Sequence, residues 1–232
     1  MNTIDLVVPC FNPPDDWPNM VLDTYRSLVS CNNDINYNFI LVDDGSLRNP
    51  FEKMKEMIQE NNWIIVRHTK NQGKGAALKS GIDQSKSAYL VYTDMDFPYT
   101  IKSIQSISEN IIGTDVDILV GVRESQYFDV IPIHRKLISK VLLYVNRHLL
   151  GLKIYDTQAG LKAMSSVGKD LAMSVKSNRF LFDLELLKRA KKLKGVTIRK
   201  QSIILRQGVQ LSKIKPSHLL RELPDFLRIL AL

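Results

Sequence analysis

The chain has 232 residues, of which 44% are hydrophobic and 24% are charged, and this composition excludes a disordered or fibrous protein. Lysine and arginine outnumber aspartate and glutamate by 32 to 24, so the net charge of +8 favours anionic partners such as phosphates, nucleic acid or acidic lipid. The two cysteines have no regular spacing, which argues against a disulfide framework or a thiolate zinc site and favours a reducing, cytoplasmic setting.

The start of the chain carries acidic residues and prolines where a signal peptide needs a basic region and a long apolar run. We therefore expect no secretion signal. A membrane-spanning helix needs about 18 consecutive apolar residues. Because no such run occurs in this sequence, we expect no spanning helix either.

Short apolar segments alternate with helix-like segments through the first half of the chain. The apolar segments are too short and too continuously hydrophobic for amphipathic helices, and they predict strands buried on both faces. The alternation predicts a single α/β domain with a mainly parallel sheet flanked by helices. The predicted strands cover residues 4–9, 39–42, 63–66, 89–92 and 118–122, and the predicted helices cover 20–29, 51–60, 75–85 and 101–111.

The regular alternation of strands and helices does not continue in the second half of the chain. A basic amphipathic helix is predicted over residues 134–149, another helix over 182–193 and a further strand over 197–205. Residues 216–232 predict a C-terminal amphipathic helix, which Pro224 should kink or split. The predicted organisation is one domain over residues 1–215 followed by this helix, which either packs on the sheet or associates with a membrane.

Polar side chains follow three of the predicted strands. Ligands bind beyond the carboxyl ends of the strands in an open parallel sheet, so these side chains should share one edge. They are Cys10-Phe11-Asn12 after the first strand, Asp43-Asp44-Gly45-Ser46 after the second, and Asp94-Met95-Asp96 after the fourth.

Asp94 and Asp96 are two residues apart in a turn, a spacing that lets carboxylates reach one divalent cation. Mg²⁺ or Mn²⁺ at this position would neutralise a nucleotide diphosphate and assist its departure. Two aspartates can equally begin a solvated loop and cap the next helix, so the motif alone does not decide.

Two further segments could contact a nucleotide. Asp44 could accept the N–H edge of a base, or it could only stabilise a strand-to-helix turn. The segment from Asn71 to Gly75 resembles a phosphate-binding loop, because glycine amides and Lys74 precede an alanine-rich helix. It lacks the GxxxxGK[ST] pattern, and no GxGxxG follows the first strand, so ATP hydrolysis and dinucleotide binding are not favoured.

Eight segments carry a family resemblance through their joint order: VVPCFN, LVDDGS, NQGKGAALKSG, YTDMDFP, GVR, HRKLISK, DTQAGLKAM and RFLFDLELL. Together they resemble the successive motifs of the inverting family 2 glycosyltransferases with the GT-A fold. Within that family they most resemble the polyprenyl-phosphate sugar transferases, the group of dolichyl-phosphate mannosyl- and glucosyltransferases. The resemblance covers roughly residues 4–215.

The resemblance implies a donor site, a metal site and an acceptor site. A nucleotide would contact Pro9, Phe11, Asp43, Asp44, Lys74, Asp94 and Met95, with the metal at Asp94 and Asp96. The acceptor and its phosphate would contact Arg123, Arg135, Asp156, Gln158, Gly160, Arg206 and Lys213. The residues implied to act in catalysis are Asp94, Asp96, Arg123 and Arg135.

Two positions depart from the family pattern. Phe11-Asn12-Pro13 replaces the common Tyr-Asn-Glu, so the usual glutamate contact is missing unless Asp15 or Asp16 substitutes. Pro98 stands where mannosyltransferases of the group commonly carry glutamine, and proline has no side-chain ligand. This substitution favours a UDP-sugar over GDP-mannose.

The expected reaction is transfer of a hexose from a nucleotide-sugar to a polyprenyl phosphate, at the cytoplasmic face of a membrane. A phosphate monoester is already ionised at neutral pH and needs no strong general base. A family 2 transferase acting on a hydroxyl remains an alternative and would need a base, for which Asp156 is the candidate; a nucleotide-sugar-binding pseudoenzyme is another. Nucleic acid is not an expected partner, because the aromatic residues are not interleaved with lysine and arginine.

Overall fold

A seven-stranded sheet forms the centre of the protein, and helices pack on both of its faces. The computed structural model describes residues 2–31, 34–123, 156, 157, 159–209 and 216–232, with no side chains for residues 216–220. The strands are β1 (Asn2–Cys10), β2 (Ile35–Asp43), β3 (Ile64–Arg67), β4 (Tyr89–Tyr92), β5 (Ile118–Arg123), β6 (Lys162–Met164) and β7 (Ile198–Ile203). The helices are α1 (Trp17–Cys31), α2 (Lys55–Glu60) after a 3₁₀ turn (Glu52–Met54), α3 (Lys74–Gln84), α4 (Ile101–Ile112), α5 (Ser166–Met173), α6 (Phe182–Lys192) and α7 (Pro216–Ala231).

The strand order across the sheet is β3-β2-β1-β4-β6-β5-β7. β1 pairs in parallel with β2 and β4, β2 with β3, and β5 with β7, whereas β6 runs antiparallel between β4 and β5. The prediction of a mainly parallel α/β sheet is therefore confirmed. Because β1, β2 and β4 run in the same direction, the polar segments that follow them share one edge, as predicted.

Alternate residues of the central strands supply two separate hydrophobic cores. Leu6 and Val8 of β1 belong to the core beneath α1 and α4, whereas Val7 belongs to the core beneath α3, α5 and α6. Burial of both strand faces explains the continuous apolar runs in the sequence. Each fully buried leucine or valine stabilises the fold by about 2 kcal/mol.

The last helix extends through Pro224 without a break, contrary to the predicted split. Its packing explains the continuity, since Ile229 is wholly buried and Arg228 pairs with Glu185 of α6 and with Asp225. The domain boundary at 215/216 and a kink at Pro224 stay predictions. The predicted helix over 134–149 lies outside the described residues. Among the helices that the structure does describe, none combines the length and apolar composition that crossing a membrane requires.

Candidate active site

The turn after β2 is held by the carboxylate of Asp43. It accepts hydrogen bonds from the backbone N–H of Ser46 at 2.9 Å and from Nε of Arg67 at 2.9 Å. Gly45 follows with a φ of +76°, and a Cβ there would lie 2.4 Å from the backbone carbon of Lys70. Glycine is required at this close approach. Asp43 thus supports the turn, and its contact with a nucleotide stays a prediction.

The carboxylate of Asp44 accepts four hydrogen bonds from the loop between β3 and α3. A carboxylate offers about four lone-pair positions, so these donors occupy its hydrogen-bonding capacity. Asp44 therefore fixes the segment that leads into α3, and its contact with a nucleotide base stays a prediction. The donors are His68 Nδ1 at 2.8 Å, Asn71 Nδ2 at 2.9 Å, Gln72 N at 2.8 Å and Gly73 N at 2.7 Å.

His68 is a site residue that the sequence patterns do not single out. Its ring bridges Asp44 and Ser80, with Nε2 at 2.9 Å from the Ser80 hydroxyl, and its side chain is only 8% exposed. If Nδ1 carries the proton and donates to Asp44, Nε2 accepts from the hydroxyl of Ser80. The one feature of the sequence that could have pointed to His68 is its position directly after the strand β3.

Lys74 begins α3 and reaches across the cleft to the turn after β4. Its Nζ lies 2.5 Å from Oδ1 of Asp94. Burial lowers the pKa of Lys74, but the charges of Asp94 and Asp183 outweigh that effect and the pKa is raised. The predicted phosphate-binding lysine and the first predicted metal-site aspartate therefore form an ion pair.

Asp96 is exposed at the same turn. Partial desolvation and the nearby charge of Asp94 raise the pKa of Asp96. A divalent cation between these carboxylates would relieve that repulsion, so the two residues fit a hard metal ion. In the described part of the chain no group of three or more metal-binding side chains occurs. Metal binding at Asp94 and Asp96 stays a prediction.

The segment that the resemblance assigns to the acceptor lies directly against this turn; we call it the acceptor segment and define it as Asp156, Thr157, Ala159 and Gly160. A Cβ on Gly160 would fall 1.8 Å from Oδ2 of Asp94, so any other residue there would displace the Asp94 carboxylate. The backbone N–H of Gly160 donates to the Tyr99 hydroxyl at 2.7 Å. The donor carboxylate and the implied acceptor side are thus in van der Waals contact.

Asp156 is buried and bound on both oxygens by Arg123 at the end of β5. The Arg123 side chain donates from Nε at 2.7 Å and from Nη2 at 2.6 Å, and its backbone N–H donates at 3.0 Å. Such a fork binds a carboxylate in two places and fixes the guanidinium plane. Arg123 and Asp156, which the resemblance assigns to the acceptor site, therefore hold each other in one orientation.

Two further predicted site residues, Met95 and Arg206, lie at the turn after β4. Nη2 of Arg206 donates to the backbone oxygen of Asp96 at 2.7 Å, and Nε1 of Trp17 donates to that of Met95 at 2.8 Å. Pro9 is buried in β1, whereas Phe11 is 41% exposed. Arg135, Gln158 and Lys213 lie outside the described residues.

Comparison with known proteins finds relatives that align with most of this chain. The UDP-N-acetylglucosamine–dolichyl-phosphate N-acetylglucosaminyltransferase of Methanococcus voltae is 29% identical over 213 residues, covering 82% of this chain and 81% of the relative. The dolichyl-phosphate β-glucosyltransferase of Dictyostelium discoideum is 26% identical over 204 residues, covering 82% of this chain and 62% of the relative.

A solved structure supports the fold. The glucosyl-3-phosphoglycerate synthase of Mycobacterium tuberculosis, in complex with Mn²⁺, UDP-glucose and phosphoglyceric acid, aligns with a TM-score of 0.67 over 100% of this chain and 80% of that chain, at 17% identity. The predicted GT-A type of α/β fold is confirmed by this likeness. The model of glycosyl transferase family 2 matches residues 5–167, and the chain therefore belongs to that family.

Proposed function

We propose that this glycosyltransferase moves a hexose from a nucleotide-sugar to a polyprenyl phosphate, with inversion at the anomeric carbon. Two relatives that align over 82% of the chain are named as dolichyl-phosphate transferases. One of them is named for a UDP-sugar, and Pro98 also favours UDP over GDP-mannose. The donor is accordingly proposed to be a UDP-sugar.

We infer the chemical class of the acceptor from the pairing of Arg123 with Asp156. A hydroxyl acceptor needs a general base that can present an oxygen to it. Both oxygens of Asp156 already accept hydrogen bonds from Arg123. An ionised phosphate needs no such base, because its second pKa is about 6. A phosphate acceptor is therefore favoured over a hydroxyl acceptor.

The proposed reaction is a single in-line displacement. An oxygen of the acceptor phosphate forms a bond to the anomeric carbon while the bond to the nucleoside diphosphate breaks. Asp94 and Asp96 would hold Mg²⁺ or Mn²⁺, which supplies charge neutralisation for the leaving diphosphate. Lys74 and Arg206 add positive charge at the same turn, and Arg123 keeps a fixed orientation beside the acceptor.

An apolar and basic surface on the outer side of α7 supports membrane association. Leu223 and Leu227 are one helical turn apart and are 50% and 57% exposed. Phe180 is 55% exposed, and the next residue, Leu181, donates its backbone N–H to Glu222 of α7 at 3.3 Å. Together with exposed Arg179 and Arg221, these side chains suit a membrane that contains anionic lipid. Arg179 also lies against Gly73, so this surface borders the donor loop.

A thermal-shift panel of UDP- and GDP-sugars, each with and without Mn²⁺, tests the donor and metal. We expect one UDP-sugar with Mn²⁺ to raise the melting temperature, and Asp96→Ala to remove that shift while Asp170→Ala, an exposed control on α5, retains it. Transfer is then measured with polyprenyl phosphate and with free glycans as acceptors. No stabilisation by any nucleotide-sugar would overturn the proposed donor, and transfer to glycans alone would overturn the proposed acceptor.

A further inference from the structure

A buried charge cluster, which we define as Tyr92, Lys162 and Asp183, lies behind the candidate site. Lys162 is completely buried and Asp183 is 3% exposed, and Nζ of Lys162 is 2.8 Å from Oδ1 of Asp183. The hydroxyl of Tyr92 donates to the same carboxylate oxygen. The ammonium also lies 5.6 Å from the centroid of the Tyr92 ring. The three side chains therefore form one connected unit at the ends of β4, β6 and α6.

The cluster holds its charges almost entirely away from solvent. Burial lowers the pKa of Lys162, and Asp183 partly offsets this effect. For Asp183, burial acts to raise the pKa, but the cations of Lys162 and Lys74 outweigh it and the pKa is lowered. A buried ion pair is expensive to desolvate, and apolar side chains of similar size often stabilise a core at least as well. Stability alone is a weak reason for placing this pair here.

The contacts of the cluster lead to both sides of the cleft. Nζ of Lys162 donates to the backbone oxygen of Ala159 at 2.6 Å. Gly160, the next residue, leaves no room for a Cβ beside Asp94. On the other side, Asp183 interacts electrostatically with Lys74, whose ammonium is 2.5 Å from Asp94. The cluster thus connects the acceptor segment with Asp94, through the carbonyl of Ala159 on one side and through Lys74 on the other.

We propose that Lys162 and Asp183 are positioning residues, which fix the acceptor segment against Asp94 through the carbonyl of Ala159 and so align the acceptor with the donor. This inference rests on the proposed transferase function. Neither residue is placed in contact with a substrate, so their removal should slow transfer without weakening donor binding. A displacement of about 1 Å between reacting groups is enough to reduce a rate by about 100-fold.

The test uses a variant that removes the charges without leaving one of them unpaired. The triple variant Tyr92→Phe/Lys162→Met/Asp183→Leu replaces each member with an apolar residue of similar size. We expect it to fold, to bind the UDP-sugar with the affinity of the wild-type protein, and to show a kcat lower by about 100-fold. Thr24→Val, which removes a buried hydroxyl that donates to the backbone oxygen of Met20 within α1, is the matched control and should keep the wild-type kcat.

The outcomes separate the two proposals. A triple variant with wild-type kcat would overturn the positioning role, and so would an equal loss of donor affinity and kcat. If the wild-type protein transfers sugar to a glycan and not to polyprenyl phosphate, the proposed acceptor fails, but the same comparison of kcat still tests the cluster. If the triple variant does not fold, Lys162→Met/Asp183→Asn takes its place, because asparagine keeps an acceptor for the Tyr92 hydroxyl.

Discussion

Gly160 has no space for a side chain, because a Cβ atom at this position would lie 1.8 Å from Oδ2 of Asp94 and 2.4 Å from its Cγ. Gly160→Ala must therefore displace the whole Asp94 carboxylate. We expect metal-dependent binding of UDP to weaken by at least about tenfold, since each charge-assisted contact to a phosphate or metal is worth that order. Isothermal titration with UDP and Mn²⁺ measures this effect.

Gly113→Ala provides the control for the glycine substitution. Gly113 follows α4, and among the described residues beyond its chain neighbours the nearest heavy atom to an added Cβ is the backbone oxygen of Glu109, at 3.5 Å. This variant should bind UDP as the wild-type protein does. Equal affinity in the two alanine variants would mean that Asp94 does not contribute to binding.

A second prediction concerns Asp44, whose four hydrogen bonds hold the loop before α3. In the wild-type protein, a carboxylate oxygen of Asp44 accepts a hydrogen bond from the backbone N–H of Gly73. In Asp44→Asn, a side-chain NH₂ group would face such a donor instead. We expect the free energy of unfolding to fall by about 2 kcal/mol, measured by urea denaturation. Asp170→Asn, on the exposed face of α5, should change it little.

The same variant separates two roles for Asp44. A role in holding the loop predicts loss of stability together with loss of UDP binding. If Asp44→Asn keeps its stability but no longer binds UDP, Asp44 contacts the base directly. Unchanged stability and unchanged binding would contradict both roles.

Much of the fold and part of the site could be predicted from local sequence pattern. The strands before Asp44 and Asp94 are continuous apolar runs, and a parallel sheet brings their carboxyl ends to one edge. β6 was not predicted because three residues are too short for a periodic signal. The continuity of α7 through Pro224 was also missed, because the burial of Ile229 and the pairing of Arg228 with Glu185 are contacts between distant parts of the chain.

The remaining parts of the site depend on contacts between distant residues. Asp44 and His68 are 24 residues apart, and Tyr92 and Asp183 are 91 apart. Lys162 stands in an otherwise apolar strand, where its buried partner in α6 cannot be deduced from spacing. Motif order therefore predicted Asp94 and the Lys74 that pairs with it, but not the buried contacts of His68, Lys162 and Asp183.

A third prediction concerns Lys74, whose ammonium forms an ion pair with Oδ1 of Asp94. In Lys74→Met that carboxylate becomes available to a cation, so Mn²⁺ should bind about fivefold more tightly when no nucleotide is present. UDP should bind more weakly in the same variant, because a positive charge beside the diphosphate is lost. Electron paramagnetic resonance of free Mn²⁺ measures the first effect, and titration with UDP measures the second.

Lys79→Met is the matched control for the lysine substitution. Lys79 lies on the same helix, but its Nζ contacts the backbone oxygen of Val175 and the side chain of Asn178 instead. Its replacement should leave both affinities unchanged. A Lys74→Met variant with unaltered Mn²⁺ affinity would show that the ion pair does not compete with a metal.

The last prediction is a pH dependence of stability that arises from Glu185. Burial acts to raise the pKa of this carboxyl, but hydrogen bonds from Ser177, the backbone of Lys176 and Arg189 lower it to about 2, from 4.5. Between these two values the unfolded chain binds more protons at this position than the folded protein does. The stabilisation is therefore complete above about pH 5 and is lost as the pH falls toward 2, by on the order of 3 kcal/mol.

Urea denaturation at several pH values between about 2 and 6 measures this loss. Glu185→Gln cannot titrate, so its stability should be lower at pH 6 and should decline less steeply with acid. Glu60→Gln, at the exposed end of α2, should retain the wild-type slope. If Glu185→Gln kept that slope, the acid sensitivity would have to arise elsewhere, and Asp183, whose pKa is also lowered, would be the next carboxylate to replace.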